Sequence, residues 1–352
     1  MKRLRRLLIG SIASLLILTA SYWVLTSLVQ ESPFADQALE AAVRDQLGTR
    51  GGYIPRNELE GLTELDASGR GIESLEGIEM LPNLRRLNLS GNRVEDVEPL
   101  TSLTRLTMLD VQDNYIANLE AVNFHRLADL PELSELVLRN NRESAHPEDP
   151  DGVRRISDIS VLSEFRSLEV LDLANNHVED ISPLSRLESL RVLNLQGNRL
   201  TENALEPLRD LARLEHLNLR ENDLRELDPL SSLGQLEYLN LHSNDRIDSI
   251  VPIASLTTLR TLIMRGVSID GQEGILRELT SLERLNVRDT GLRDLSALVN
   301  LMERGALQDR PEDDVFAEVD IRENPIESTE AYHVLEPYWA NIAQRHPEEL
   351  PE

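Results

Sequence analysis

Residues 168–189 read LEVLDLANNHVEDISPLSRLES, and at Leu190 the same pattern begins again. Leu168, Leu171 and Leu173 stand at strand spacing and turn inward, while Val178, Ile181, Leu184 and Leu187 cover the far side of a coil. One such coil cannot stand alone. Ordering a residue costs about 1–2 kcal/mol of backbone entropy, and each apolar side chain buried returns about 1.5–3 kcal/mol. The leucines therefore need a neighbouring coil on either side, which makes the segment one turn of a stack.

Working outward, L-x-x-L-x-L-x-x-N-x-(I/L/V) returns with its first position at Leu62, Leu84, Leu106, Leu133, Leu168, Leu190, Leu214, Leu236, Leu259, Leu282 and Phe316. Most spacings are 22 to 24 residues, and units of this length and pattern are identified as leucine-rich repeats. The expected fold is an α/β leucine-rich-repeat solenoid, with a parallel β-sheet on the concave face and eleven repeats over residues 62–327. Asn fills the ninth position at Asn92, Asn114, Asn141, Asn176, Asn198, Asn222, Asn244 and Asn324, where its amide can satisfy backbone groups at the turn leaving the strand. Arg70, Val267 and Thr290 interrupt that ladder, so their coils are expected to carry altered turns.

Past the Asn come runs such as Val94-Glu-Asp-Val-Glu-Pro-Leu100, Val178-Glu-Asp-Ile-Ser-Pro-Leu184 and Leu224-Arg-Glu-Leu-Asp-Pro-Leu230. Proline cannot continue an α-helix, so the convex side is expected to consist of short 3₁₀ or extended turns. With these runs the chain, over about residues 34–327, resembles the internalin-like class of bacterial surface leucine-rich repeats. That resemblance implies a module that binds proteins through its concave sheet, without fixing the partner. The closing segment, Gly305-Ala-Leu-Gln-Asp309 through Val319-Asp-Ile-Arg-Glu-Asn-Pro325 to Tyr338-Trp339, also resembles the end of repeat domains in bacterial proteins bearing a spore-coat CotH-like kinase domain. No such kinase domain is read here, so that likeness implies only a neighbourhood of envelope or coat proteins.

A stack needs its ends covered. Over residues 31–61 an N-terminal cap is expected: a helix begun by Ser32-Pro33, ended by Gly48, with Leu39, Ala42, Val43, Gln46 and Leu47 on one face and Phe34 beneath. Residues 328–352 read as a C-terminal cap, helical over 330–345 and broken or kinked near Pro337. Two repeats are long. The stretches between Asn141 and Ile156 and between Leu301 and Phe316 are expected to be exposed charged loops. Asp149, Asp151 and Gly152 in the first match only part of a calcium loop, and a solvated loop is the favoured reading.

Residues 7–29, LLIGSIASLLILTASYWVLTSLV, carry no charge and as a helix would span about 35 Å, against a hydrocarbon core of about 30 Å. Lys2, Arg3, Arg5 and Arg6 precede the run, and Glu31 and Asp36 follow it. The expectation for residues 1–30 is a cytoplasmic stub and one uncleaved transmembrane helix, with the remainder on the outer side of a bacterial membrane. The alternative is a signal peptide and a secreted chain, for which the apolar run is long and Thr19-Ala20-Ser21 a poor cleavage site.

The chain has 36 Lys and Arg against 62 Asp and Glu, a formal charge of −26, and no Cys. Such a charge repels nucleic-acid phosphates and favours a soluble, monomeric domain, and no disulfide or Cys-bearing metal site is available. The seven His residues form no metal-binding helix pair and no catalytic motif, and carboxylate pairs arise by chance in so acidic a chain. No enzyme activity, metal or cofactor is expected.

Strand alternation makes the third, fifth and seventh positions of each repeat face out of the sheet. The seventh runs Ser90, Gln112, Arg139, Ala174, Gln196, Arg220, His242, Arg265, Arg288, Arg322, so its later half is basic in an acidic protein. The fifth is a line of small polar groups that includes Asn240, and the third contains His216 and Tyr238. Tyr and Arg dominate binding hot spots. Arg220, Tyr238, Asn240, His242, Arg265 and Arg288, with His216 and Arg322 beside them, are therefore the candidate binding face for an acidic protein segment or an anionic glycan. The competing expectation is that these arginines pair with Glu221, Asp289 and Glu323 and merely solubilise the sheet. A carbohydrate or cell-wall module is the alternative function, disfavoured by the scarcity of concave aromatics. A non-catalytic accessory subunit of an envelope enzyme is a further one.

Overall fold

The computed structural model describes residues 32–142, 155–326 and 329–346. They form one solenoid whose strands join into a single parallel sheet in sequence order: β1 (Glu64–Asp66), β2 (Arg86–Asn88), β3 (Met108–Asp110), β4 (Glu135–Val137), β5 (Val170–Asp172), β6 (Val192–Asn194), β7 (His216–Asn218), β8 (Tyr238–Asn240), β9 (Thr261–Ile263), β10 (Arg284–Asn286), β11 (Glu318–Asp320) and β12 (Gln344–His346). The register is constant: the central residue of each strand, Leu65, Leu87, Leu109 and so on to Val319, faces the same position of the next coil. Leu168, Leu171, Leu173, Val178, Ile181, Leu184 and Leu187 are all fully buried. In the third and fourth coils Phe124 and Phe165 pack against each other with ring centroids 5.8 Å apart.

The Asn ladder has the expected role. Asn114 Oδ1 accepts the Val94 N–H of the coil before (3.0 Å), and its Nδ2 donates to Leu89 O in that coil and Val111 O in its own. Two of the interruptions are repaired locally. Thr290 Oγ1 donates to Val287 O at 2.8 Å, reproducing the bond an Asn makes to the carbonyl three residues earlier. At Val267 the backbone N–H takes over, reaching Met264 O at 2.9 Å. The eighth position of every coil is left-handed, from Gly69 and Gly91 through Asp113, Asn140 and Asn175 to Glu221, Ser243, Asp289 and Glu323. That turn aims the Asn amide into the stack.

Pro99, Pro183 and Pro229 each open a 3₁₀ turn, as at Glu98–Ser102, Ser182–Arg186 and Asp228–Ser232. The tenth coil departs from this. In Leu292–Leu298 an α-helix over Ser296–Glu303 replaces the 3₁₀ turn, burying Ala297, Leu298, Leu301 and Met302. The second insertion is thus partly helical. Its remainder is held by Leu307 N–H to Leu282 O (2.7 Å) and by the Asp309 carboxylate, which accepts Ala317 N–H and Ala343 N–H.

At the N-terminus the capping helix runs Gln37–Leu47, not from Pro33, because Asp36 takes the N-cap and accepts Ala38 and Leu39 N–H. The other Asp36 oxygen accepts Glu73 and Ser74 N–H, tying the helix to the first coil. Leu39, Ala42, Val43 and Phe34 are buried, but Gln46 is exposed. A second helix, Arg56–Gly61, completes this cap. At the other end, short helices at Thr329–His333 and Glu336–Trp339 give way to β12, so the last segment adds a strand where a helical stretch, broken or kinked near Pro337, was expected to reach residue 345. Among the described residues no helix is long and apolar enough to cross a membrane. The apolar run 7–29 and the partial calcium motif at Asp149, Asp151 and Gly152 lie outside the described residues.

Candidate binding face

Strands β7 to β11 carry the predicted residues on one open face, the side that is concave in solenoids of this kind. His216 and Tyr238 stand opposite each other in register, and their rings stack with centroids 5.9 Å apart and planes 24° off parallel. Asn240 is buried beside them, donating to the Tyr238 hydroxyl at 3.4 Å while its Oδ1 accepts His242 N–H at 3.0 Å. The His242 ring meets Arg265 O through Nδ1 at 2.9 Å, which locks its orientation. A Tyr–Asn–His unit fixed in this way presents its surface with little rotamer entropy left to lose.

The basic column divides in two. Arg220 bonds to Glu221 at 2.8 Å, Arg288 to Glu323, and Arg322 grips Asp320 with Nη2 at 2.7 Å and Nε at 3.0 Å. The Arg288 bond holds the Glu323 carboxyl below its ordinary range. Burial pushes the Asp320 carboxyl up, but its bonds to the Arg322 side chain and backbone outweigh that and leave it lowered. These arginines are neutralised by residues one or two positions away or one coil over. Arg265 is different: among the described residues its side chain makes no hydrogen bond or ion pair. Charge on this face is therefore available at Arg265, and not along the whole column.

The earlier half of the sheet is of opposite character. Burial raises the Asp110 carboxyl above its ordinary value, with Asp172 and Asp113 adding to the effect against Gln112 N–H and Arg139. The column reading also passed over a line of charges at the second position. Arg191 forks onto Glu215 (2.8 and 2.9 Å), Arg260 reaches Glu283 (3.0 Å) and Glu237 (3.6 Å), and Arg310 closes the series on Glu283 (2.8 Å). Charges of both signs at the second position, from Glu169 to Glu283, were readable. Arg284 on β10 was not singled out either, and it too has no side-chain partner among the described residues.

Phe316 is the largest local surprise. The first position is buried in the ten preceding coils, yet Phe316 is 42% exposed and Ala317 fills the interior. The second-position residues are polar in the other coils, as in Thr63, Arg85, Thr107 and Glu283, so an alanine there was a usable signal. A cavity of about 710 Å³ lies off the sheet on the flank of the third to sixth coils, among Glu120, Arg155, Asp158, His177, Glu179 and Arg199. It gathers none of the predicted face.

A family model described as leucine-rich repeats (two copies) matches residues 60–102, 166–212 and 212–255. Among solved structures, internalin C2 of Listeria monocytogenes is 30% identical, with a TM-score of 0.56 over 64% of this chain and 92% of its own. The chain belongs to the internalin-like leucine-rich-repeat family. An internalin (InlF) of the same organism, 24% identical with a TM-score of 0.59 over 91% of this chain and 96% of its own, shares the fold. So does a leucine-rich-repeat protein of Leptospira interrogans, 20% identical with a TM-score of 0.50 over 90% of this chain and all of its own. No curated protein sequence matches the chain. Internalin-like repeat domains are typically protein–protein interaction modules and are generally non-catalytic.

Proposed function

We propose that this internalin-like chain is a cell-surface recognition module, held to a bacterial membrane by residues 7–29, that binds an acidic segment of a protein partner across strands β7 to β10. The centre of the contact is the stacked His216–Tyr238 pair, Asn240, His242 and Arg265. The observation that supports this reading is that Arg265 has no directly bonded carboxylate among the described residues. Arg220, Arg288 and Arg322 in the same column are occupied by carboxylates, while among the described residues Arg265 makes no side-chain hydrogen bond or ion pair, attracts Glu323 only at longer range, and has its backbone carbonyl bonded to the His242 ring. An unpaired guanidinium beside an aromatic anchor is the composition of a hot spot, because a partner carboxylate there need not first break an existing pair.

Affinity capture from native membranes with the full chain tests this. Arg265→Glu is expected to abolish capture of a partner that the parent retains, and reversal of Arg220, Arg265 and Arg288 together is expected to do the same. A folded triple variant that captures the partner as well as the parent refutes the proposal.

A further inference from the structure

The outward turn of Phe316 has a consequence at the end of the sheet where strands β7 to β10 begin. The loop before it folds back on itself, Arg310 pairing with Val315, and is pinned by Arg310 on Glu283 and by Asp309 on two backbone amides. Asp314, Val315 and Phe316 are thereby set over the sheet. Between them and the floor made by His216, Tyr238, Thr261 and Arg284 lies a cleft of about 240 Å³, with Glu237, Arg260 and Glu283 along its rim. Three aromatic rings, which the sequence spreads over a hundred residues, line one small cavity.

We propose that this cleft is a sugar-binding site that takes one pyranose ring of a glycan. A pyranose has an apolar C–H face and a rim of hydroxyls, and the cleft offers complements to both. The stacked His216–Tyr238 pair and Phe316 supply aromatic surface for the C–H face. Arg284 can only donate and Asp314 can only accept, and neither side chain has a partner among the described residues, so together they suit neighbouring hydroxyls. Glu237, Arg260 and Glu283 are already fixed by one another and preorganise the rim. The volume lies below the roughly 300–1,000 Å³ of drug-sized pockets, which favours a single ring over a longer buried ligand. Free charges of opposite sign, one of each, favour a neutral sugar over an anionic one. This site shares the His216–Tyr238 pair with the proposed protein contact, but it does not use Arg265 and requires no protein partner.

Saturation-transfer NMR on the full chain in detergent micelles, with the methyl pyranosides of glucose, galactose, mannose and N-acetylglucosamine as probes, decides the matter. At least one is expected to receive saturation at its ring C–H protons. Phe316→Ala and Arg284→Gln should each weaken that sugar's binding about fivefold or more, with unchanged thermal unfolding and recovery in Phe316→Trp. Absence of saturation in all the probes, or binding that survives both Phe316→Ala and Tyr238→Ala, overturns the proposal. Since no protein ligand enters the measurement, its failure leaves the Arg265 reading intact, and failure of that reading leaves this one.

Discussion

Replacing Asn114 with alanine removes one rung of the ladder on which coil stacking rests. The side chain is fully buried. Its Oδ1 is the sole acceptor for Val94 N–H and its Nδ2 the sole donor to Val111 O, whereas Leu89 O and Gln112 O keep other partners in Asn92 and Gly91. Two buried main-chain groups are therefore orphaned, at about 1–3 kcal/mol each, for a loss of about 2–6 kcal/mol. Water entering the vacated polar space would hold the loss near the lower end of that range. Asn222 makes the same set of bonds but is only half-buried, so Asn222→Ala is expected to cost less. Asn218→Ala, on the open face, should fall within about 0.5 kcal/mol of the parent. Urea unfolding followed by circular dichroism gives all three midpoints. If Asn114→Ala and Asn218→Ala unfold together, the ladder does not hold the coils and the reasoning fails.

Gly77 has φ 99°, and a Cβ there would sit 2.3 Å from Pro33 O and 2.8 Å from Phe34 Cα, both backbone. Gly77→Ala should therefore loosen the N-terminal cap, seen as faster amide exchange at Ala35 and Leu39 while Leu193 is unaffected. Two carboxylates on the sheet should give opposite pH signatures. Asp110 has a raised folded-state pKa, so its contribution is fully present below the unfolded value and is lost as pH rises; Asp110→Asn should stabilise the chain near neutral pH, and the gain should vanish below about pH 4. Asp320 has a lowered pKa, so its contribution is present above the unfolded value and is lost as pH falls; Arg322→Ala should destabilise the chain near neutral pH and matter little in acid. Thermal unfolding of both variants across this range checks the signs.

Most of the architecture was legible because it is periodic. Leu171, Asn176 and Leu184 each recur at fixed offsets, and a stack repeats whatever one coil does. The left-handed eighth position was equally legible in Gly91, Asn175 and Gly197, but Glu221 and Glu323 obscure it, since neither favours that conformation. What escaped was what happens once. An α-helix forms over Ser296–Glu303 although Val161 and Gly274 stand at the same place in other coils and keep 3₁₀ turns, and Asp309 bonds amides at residues 317 and 343, which no local pattern announces. The arginine column was read as one binding face, with pairing to Glu221, Asp289 and Glu323 as the competing expectation, and neither reading separated Arg265 from the rest. It is unequal because a guanidinium finds whichever carboxylate its rotamer reaches: Glu221 is the next residue to Arg220, Asp320 is two before Arg322, and Glu323 lies one coil beyond Arg288. That choice is settled by side-chain geometry, which alternation along a strand does not encode.

The proposed function places recognition on the open sheet face around strands β8 and β9. A photo-crosslinking residue placed in the full chain at Ile263, and separately at the exposed Val251 on the convex side, tests it most directly in living cells. A discrete adduct is expected from position 263, lost when Arg265→Glu is added, and none from position 251. An adduct from position 251 with none from 263 would contradict it.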